Sequence, residues 1–265
     1  MSKENRIEKT LSELKSKNEK ALITYITAGL PDMEKTKELI RAQENTDIIE
    51  LGIPFSDPTA DGPVIQQASY EAIQKGATLK KTFALMRSLR QEGCEKPIVF
   101  MMYYNSLLHM GIEAFVKECH ACGVDGLIVP DLPLEEQDAL QKALASSDET
   151  ILIQLVSPIS KDRIPKITED ARGFIYCVSS MGVTGQAGSF HRDVLNYLKQ
   201  VKSVAKVPVM MGFGIRGAKD VEPMKDVIDG AIVGSHFINL LRENDFHASA
   251  ARAYTDTFKK ELKAL

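Results

Sequence analysis

Short apolar runs alternate along the chain with longer amphipathic segments. Eight of these runs are solidly apolar instead of alternating, which is typical of strands covered on both faces in a parallel sheet. They begin at Ala21, Asp47, Pro97, Asp125, Ile151, Gly173, Val207 and Asp229 and read ALITYITA, DIIEL, PIVFMMYY, DGLIVP, ILIQLVSP, GFIYCVSS, VPVMMGFG and DGAIVGS. Segments with a helical period lie between them, such as LEEQDALQKALAS after Pro133 and SFHRDVLNYLKQVKSV from Ser189. The pattern predicts eight strands with helices between them.

Eight such strands in 265 residues predict an α/β fold of the (β/α)8 TIM-barrel type. The alternative is a doubly wound open sheet. No linker rich in Pro or Ser divides the chain, so we expect residues 1–265 to form a single TIM-barrel catalytic domain. Apolar stripes at each end predict extra N- and C-terminal helices that cover the barrel. The stripes consist of Ile7, Leu11 and Leu14 at one end, and of Phe246, Ala250, Tyr254, Phe258 and Leu262 at the other.

Composition narrows the classes of partner. The formal net charge is −3, which gives no electrostatic reason to expect a nucleic acid or an anionic membrane as partner. No apolar run is long enough to span a membrane. The first twenty residues are charged throughout and lack the apolar core of a signal peptide. We therefore expect a cytoplasmic protein.

The four cysteines offer one possible metal motif. Cys119, His120 and Cys122 form the sequence CHAC, which resembles half of a zinc site, but no second pair of ligands follows at a suitable spacing. The surrounding segment has a helical period that ends at Gly123. The sequence therefore favours buried thiols on a helix, and we expect no metal site.

Acidic residues follow the second apolar run directly. The stretch ELGIPFSDPTADGP, residues 50–63, places Glu50 at the end of a strand and Asp57 and Asp61 on a loop stiffened by proline. Catalytic residues of a TIM barrel lie at the C-terminal ends of the strands. Apolar surroundings raise the pKa of a carboxyl group and let it transfer protons near neutral pH. The alternative for Glu50 is a buried acid paired with a cation, and we expect Asp57 to serve the turn.

The late loops are rich in glycine. The sixth strand leads into SSMGVTGQAGSF, the seventh into GFGIRGAKD and the eighth into VGSHFINLL. Backbone N–H groups of such loops, with a helix start at Gly234 and Ser235, predict a site for a single phosphate. Gly212, Gly214 and Gly217 also spell the dinucleotide motif GxGxxG, but no acid ends the next strand to hold a ribose. A third possibility is that these glycines only make tight turns.

No lysine lies within a predicted strand, which excludes a Schiff-base aldolase.

Five segments together resemble one protein family. DIIELGIPFSDPTADGPVIQQAS, from Asp47, resembles the signature of the tryptophan synthase alpha chain family. YITAGLPD from Tyr25, GVTGQAG from Gly182, GFGI from Gly212 and VGS from Val233 are similar to further family motifs. The resemblance spans essentially the whole chain, in order and with compatible spacings.

This resemblance implies a TIM barrel that cleaves indole-3-glycerol phosphate to indole and glyceraldehyde 3-phosphate, a retro-aldol reaction of a carbon–carbon lyase. It implies a beta chain as partner in an alpha2-beta2 tetramer. The beta chain carries pyridoxal phosphate and makes L-tryptophan from indole and L-serine, whereas this chain needs no cofactor. A free-standing lyase of the same fold and an inactive barrel acting as a subunit remain alternatives.

The resemblance also assigns roles to residues. Glu50 and Asp61 fall on the two catalytic acids. Tyr25, Tyr176, Thr184 and Phe213 fall on substrate-binding positions, and Gly185, Gly214, Gly234 and Ser235 fall on phosphate-binding positions. Position 25 is often Phe in the family. We further expect the loop 52–61 to present Pro54, Phe55 and Pro58 as an exposed apolar docking surface for the beta chain.

Overall fold

The structure is a computed structural model that describes residues 5–147, 149–178, 187–212 and 214–265. Within these ranges its sheet contains nine parallel strands, and each overlaps one of the eight predicted apolar runs, with β2 extending one residue past its run to Gly52. The strands are β1 (Ala21–Thr27), β2 (Ile48–Gly52), β3 (Ile98–Met101), β4 (Gly126–Ile128), β5 (Ile151–Leu152), β6 (Gln154–Val156), β7 (Ile175–Cys177), β8 (Val209–Met211) and β9 (Gly230–Val233).

The strands close into a ring. β1 pairs with both β2 and β9, and the pairing continues in each direction as far as β5 and β6. β5 and β6 are consecutive parts of one extended segment, separated by Ile153, whose N–H donates to the Leu127 carbonyl at 2.9 Å. β5 pairs with β4 and β6 pairs with β7. The predicted eight-stranded TIM barrel is therefore confirmed, and the open doubly wound sheet is wrong.

Helices surround the sheet and fill the connections. They are α1 (Arg6–Ser16), α2 (Met33–Ala42), α3 (Pro63–Gln74), α4 (Leu79–Gln91), α5 (Tyr104–Met110), α6 (Ile112–Cys122), α7 (Asp138–Leu144), α8 (Ile164–Thr168), α9 (Ala187–Val204), α10 (Ala218–Val221), α11 (Ser235–Glu243) and α12 (Ala248–Leu262). Short 3-10 helices span Leu134–Glu136, Pro158–Arg163 and Glu222–Met224. Among these described helices, none combines the length and the apolarity that a membrane span requires.

Alternation along β2 decides which side chains face the inside of the barrel. Ile48 packs in the apolar cluster inside the barrel, whereas Ile49 and Leu51 pack in the larger cluster between sheet and helices. Successive side chains of a strand point to opposite faces. Glu50 therefore faces the interior, as Ile48 does, but one step closer to the C-terminal end of the strand.

Helix α1 closes the N-terminal end of the barrel, as predicted. Its apolar stripe of Ile7, Leu11 and Leu14 is buried against the interior cluster. Asn5 caps the helix, since its Oδ1 accepts the N–H of Ile7 at 2.9 Å while its Nδ2 donates to the Asp125 carbonyl at 2.8 Å. The Asp125 carboxylate is in turn paired with Arg6 and Arg90. These contacts place the helix opposite the end at which Glu50 lies.

Helix α12 is present, but its buried face differs from the predicted stripe. The buried residues are Ala251, Thr255, Phe258, Lys259 and Leu262. Phe246 lies before the helix with a φ of 54°, and Ala250 is only half-buried. Lys259 Nζ donates to Asp47 Oδ2 at 2.7 Å, and the Thr255 hydroxyl donates to the Ala251 carbonyl at 3.0 Å. Because both polar groups find partners, they can be buried, which a hydrophobic pattern does not show.

The CHAC segment is helical and buried. It ends α6, and Gly123 follows with the left-handed φ of 72° that commonly ends a helix. Cys119 and Cys122 are buried, and burial raises the pKa of the Cys122 thiol to about 11. In the described ranges no group of three or more potential metal ligands comes together. The structure thus supports buried thiols at this segment.

Candidate active site

A cavity of about 910 Å³ opens at the C-terminal ends of the barrel strands. Both predicted catalytic acids line it, together with the predicted substrate and phosphate residues that the structure describes. These residues are Glu50, Asp61, Tyr25, Tyr176, Gly214, Gly234 and Ser235. Thr184, Gly185 and Phe213, which were also predicted, lie outside the described residues. One cavity therefore joins the acids to the start of α11.

Glu50 is a buried acid at the end of β2. Only 2% of the residue is exposed, and its Oε2 has no hydrogen-bond partner among the described residues. Tyr25 lies opposite it on β1, and Val99 lies opposite it on β3. Burial, followed by the charge of Asp61, raises the pKa of Glu50 to about 8. The side chain is therefore mostly protonated at pH 7, and no ion pair in the described part of the chain supports the alternative of a cation-paired acid.

Asp61 is held by its neighbours on the loop and by Tyr103. Its Oδ2 accepts the Tyr103 hydroxyl at 2.9 Å. Its N–H donates to the Pro58 carbonyl at 3.1 Å, and its own carbonyl accepts the Gln66 Nε2 at 2.9 Å. Burial raises the pKa of Asp61 to about 6, and the hydrogen bond from Tyr103 opposes this increase. At pH 7 the site therefore contains one mostly neutral and one mostly ionised carboxyl, a pairing suited to proton transfer.

Asp57 has a different environment from the other two acids. It is exposed, and its Oδ2 accepts the hydroxyl of Ser56 at 2.5 Å. Its carbonyl accepts the N–H of Thr59 at 2.9 Å. Asp57 is not among the residues that line the cavity. This arrangement agrees with the expectation that Asp57 serves the turn.

Two glycines give space to two tyrosines of the cavity. A Cβ atom at Gly52 would lie 2.1 Å from the Tyr25 hydroxyl, and one at Gly212 would lie 2.4 Å from the Tyr176 ring. Burial raises the pKa of both phenols, which are therefore neutral. The negative charges of Glu50 and Asp61 also raise the pKa of both tyrosines, so the four side chains form one electrostatically coupled cluster. The role of Gly212 in the sequence motif is thus steric: it makes room for a ring.

The glycine-rich end of the cavity offers backbone N–H groups. Gly214 has a φ of +68°, in the left-handed region that favours glycine. Gly234 lies directly before the nine-residue helix α11, and a Cβ atom there would approach no described atom more closely than 3.7 Å. The start of α11 can therefore bind an anion. The dinucleotide alternative is not supported, because the helix after the GxGxxG motif, α10, has only four residues.

Sequence reasoning did not single out several polar residues at or near the cavity, among them Tyr103, Arg216 and His236. Tyr103 bonds to Asp61, although 42 positions separate them in the chain. Arg216 and His236 line the cavity beside the glycine-rich loops. The sequence could have revealed both residues, since Arg216 lies within the glycine-rich segment GFGIRG and His236 directly follows Ser235.

Comparison with known proteins identifies the family. The family model described as tryptophan synthase alpha chain matches residues 11–265. The chain belongs to the tryptophan synthase alpha chain family. A tryptophan synthase alpha chain from Lachnospira eligens is 57% identical over 263 residues, which cover 98% of this chain and 100% of the relative. One from Alkaliphilus metalliredigens is 47% identical over 236 residues, or 88% of each chain.

Solved structures of the family have the same fold. Tryptophan synthase subunit alpha from Legionella pneumophila superposes with a TM-score of 0.88 at 32% identity, covering 99% of this chain and 100% of the other. A chain of tryptophan synthase from Mycobacterium tuberculosis gives a TM-score of 0.87 at 32% identity, covering 98% and 99%. The alpha-subunit role expected from the resemblance is confirmed. The alternative interpretation, a free-standing lyase of the same fold, is not needed to account for these matches. Family membership also implies lyase chemistry and a beta-chain partner.

Proposed function

We propose that this chain cleaves indole-3-glycerol phosphate to indole and glyceraldehyde 3-phosphate. One observation carries the proposal: Glu50, almost fully buried, shares a cavity with Asp61 and with Gly234 at the start of α11. The substrate has an indole ring, a glyceryl chain and a phosphate. The two acids can transfer the protons that breaking the carbon–carbon bond requires, and the backbone N–H groups of the glycine-rich end can bind the phosphate. The reaction is that of a carbon–carbon lyase.

The first half of the reaction turns the indole ring into an electron sink. Glu50, mostly protonated at pH 7, donates its proton to carbon 3 of the ring. Positive charge then develops on the ring nitrogen. Asp61, mostly ionised at the same pH, accepts the ring N–H and stabilises this charge. The different pKa values of the two acids, about 8 and about 6, fit these opposite roles.

The second half breaks the carbon–carbon bond. The Glu50 carboxylate takes the proton of the hydroxyl on the glyceryl carbon attached to the ring. That carbon becomes the aldehyde of glyceraldehyde 3-phosphate, and the electron pair of the broken bond returns to the ring as indole. Glu50 ends the cycle protonated, as it began. The sequence of proton transfers uses no cofactor in this chain, and we assign pyridoxal phosphate to the beta chain.

The remaining residues of the cavity orient the substrate. Gly214, Gly234, Ser235, Tyr25 and Tyr176 line the cavity. We assign the first three to binding of the phosphate through backbone N–H groups, and the two tyrosines to enclosing the indole. Fixing both ends of the substrate brings the breaking bond to Glu50, which is the main advantage of binding in such a reaction. On family resemblance alone, we assign Gly185 to phosphate binding and Thr184 and Phe213 to substrate binding in the same cavity.

The proposed beta-chain surface differs from the one expected from sequence. Pro54 and Phe55 are half-buried and Pro58 is buried, so they do not form an exposed apolar surface. Exposed apolar side chains instead follow β3 and β6. Leu108 is 50% exposed, Met110 38% and Ile159 83%. Exposed apolar side chains suit docking of another protein, and we propose these three as part of the contact in an alpha2-beta2 tetramer of a cytoplasmic enzyme.

The test is product formation with and without the partner. The purified chain is incubated with indole-3-glycerol phosphate, and indole and glyceraldehyde 3-phosphate are measured. We expect equal amounts of both products, slow formation by the chain alone, and faster formation when a beta chain is added. The two chains should also elute together in gel filtration. Products in unequal amounts would contradict the proposed cleavage, and no acceleration together with separate elution would contradict the proposed partner.

A further inference from the structure

We propose that Tyr103 is a positioning residue for Asp61: its hydroxyl holds the loop in place and keeps the Asp61 carboxylate ready to receive the ring N–H. This inference rests on the proposed function. Tyr103 lies two residues after β3 ends at Met101 and directly precedes α5, and only 4% of it is exposed. Its hydroxyl accepts the N–H of Ala60 at 2.9 Å and donates to Asp61 Oδ2 at 2.9 Å. One buried group therefore bonds to two consecutive residues of the loop.

The ring of Tyr103 contacts the same loop further upstream. It stacks on Phe55, with ring centroids 5.0 Å apart and planes 19° apart. Tyr103 thus touches the loop at residue 55 and again at residues 60 and 61. Within the described part of the chain, its hydroxyl is the only hydrogen-bond donor to the Asp61 carboxylate. A side chain anchored in this way to the barrel fixes where Asp61 points.

The charges around Asp61 make this donor important. Glu50, Tyr25 and Tyr176 face it from β2, β1 and β7, and none of them brings a positive charge. Arg163, Arg216 and His236 lie elsewhere along the cavity wall, and Asp131 lies near Tyr103. Burial and the Asp61 carboxylate raise the pKa of Tyr103, so its hydroxyl stays protonated and can always donate. Without that donor, burial would favour the neutral form of Asp61.

Tyr103→Phe separates this role from a purely structural one. The variant keeps the ring and its stacking on Phe55, and removes both hydrogen bonds. Tyr104→Phe is the matched control, since it removes a hydroxyl from the next residue, whose backbone N–H donates to Asp131 and whose hydroxyl shows no hydrogen bond to the described residues. The ionisation of Asp61 is followed by the infrared band of the protonated carboxyl group, identified by its loss in Asp61→Asn. This readout does not depend on turnover.

We expect the midpoint of the Asp61 band, about 6 in the unaltered chain, to move up by about one pH unit in Tyr103→Phe and to stay in place in Tyr104→Phe. The acid limb of kcat/KM for indole formation should move with it, lowering kcat/KM about tenfold at pH 5. Binding of glycerol phosphate should not change. An unchanged midpoint in Tyr103→Phe, or an equal change in Tyr104→Phe, would overturn the inference. Absence of indole formation by the unaltered chain would instead overturn the proposed function.

Discussion

Glu50 sits in surroundings that favour its neutral form, and this has a consequence for stability. Its pKa is raised from 4.5 to about 8 in the folded chain. Between these values the folded chain holds a proton that the unfolded chain has lost. The stabilising effect of that proton is fully present below about pH 4.5 and is lost as the pH rises through about 8. Each pH unit in this window weakens folding by at most about 1.4 kcal/mol.

We therefore expect Glu50→Gln to be more stable than the unaltered chain at alkaline pH, because an amide is never ionised. The two should melt alike near pH 4.5, and the variant should melt on the order of 5–10 °C higher at pH 9. Glu13→Gln, which alters an exposed glutamate of α1, should show no such trend. Melting curves across this pH range check the prediction. A variant less stable than the unaltered chain at pH 9 would mean that the ionised Glu50 has a partner.

The acids of the loop should differ in their effect on turnover. We expect Asp61→Asn to lower indole formation about 10²–10⁴-fold, because a neutral amide stabilises the positive ring nitrogen poorly. Asp57→Asn should cost little, since Asp57 is exposed and bonds to its neighbour Ser56. Steady-state assays of both variants with indole-3-glycerol phosphate compare them directly. The reverse ranking would show that the roles of the two acids are exchanged.

At the residue scale, the two acids could be predicted from the sequence, but the residues that contact and position them could not. Glu50 and Asp61 were predicted as the catalytic acids because catalytic residues lie at strand ends in a barrel and the motif around these two is long, and the structure brings both into one cavity. Tyr103 was not singled out, because its link to Asp61 depends on loop geometry that brings together positions 42 apart. The glycines 52 and 212 were visible, but the tyrosine rings that require them lie on other strands. Contacts between distant segments are what a single sequence does not reveal.

At the scale of elements, the start of α11 is the proposed phosphate site. Gly234→Asp should weaken binding of glycerol phosphate at least tenfold and leave binding of indole nearly unchanged, because a carboxylate would compete with the phosphate at the helix start. Gly234→Ala is the matched control. A Cβ atom there meets no atom of the described residues closer than 3.7 Å and adds no charge. Calorimetric titrations with both ligands measure the effect, and equal losses for indole and glycerol phosphate would indicate general damage to the cavity instead.

Elements with a strong hydrophobic pattern were the easiest to predict. Each described strand coincides with a predicted apolar run to within one residue, since a parallel sheet is covered on both faces. The buried face of α12 was predicted less well, because buried Lys259 depends on an ion pair with Asp47. The short strand β5 and its continuation β6 were predicted as a single run, and Ile153 interrupts them. Hydrogen-bond details of this kind are set by neighbouring strands.

At the scale of the whole molecule, the two ends of the barrel differ: stabilising contacts lie at one end and the cavity lies at the other. Helix α1 and the pairing of Asp125 with Arg6 and Arg90 lie at the N-terminal end. The cavity, with both acids and the glycine-rich loops, lies at the C-terminal end. This separation lets the catalytic end contain a buried unpaired acid, which costs stability, while the opposite end stabilises the fold. The exposed apolar side chains proposed for docking also follow strands at the catalytic end.

The central claim is that Glu50 transfers the protons that break the carbon–carbon bond. The most direct measurement is indole formation from indole-3-glycerol phosphate by Glu50→Gln and by the unaltered chain, with folding and glycerol phosphate binding measured on the same samples. We predict that the variant folds, binds glycerol phosphate normally and forms indole about 10²–10⁴-fold more slowly. Near-normal indole formation by a folded Glu50→Gln would contradict the account.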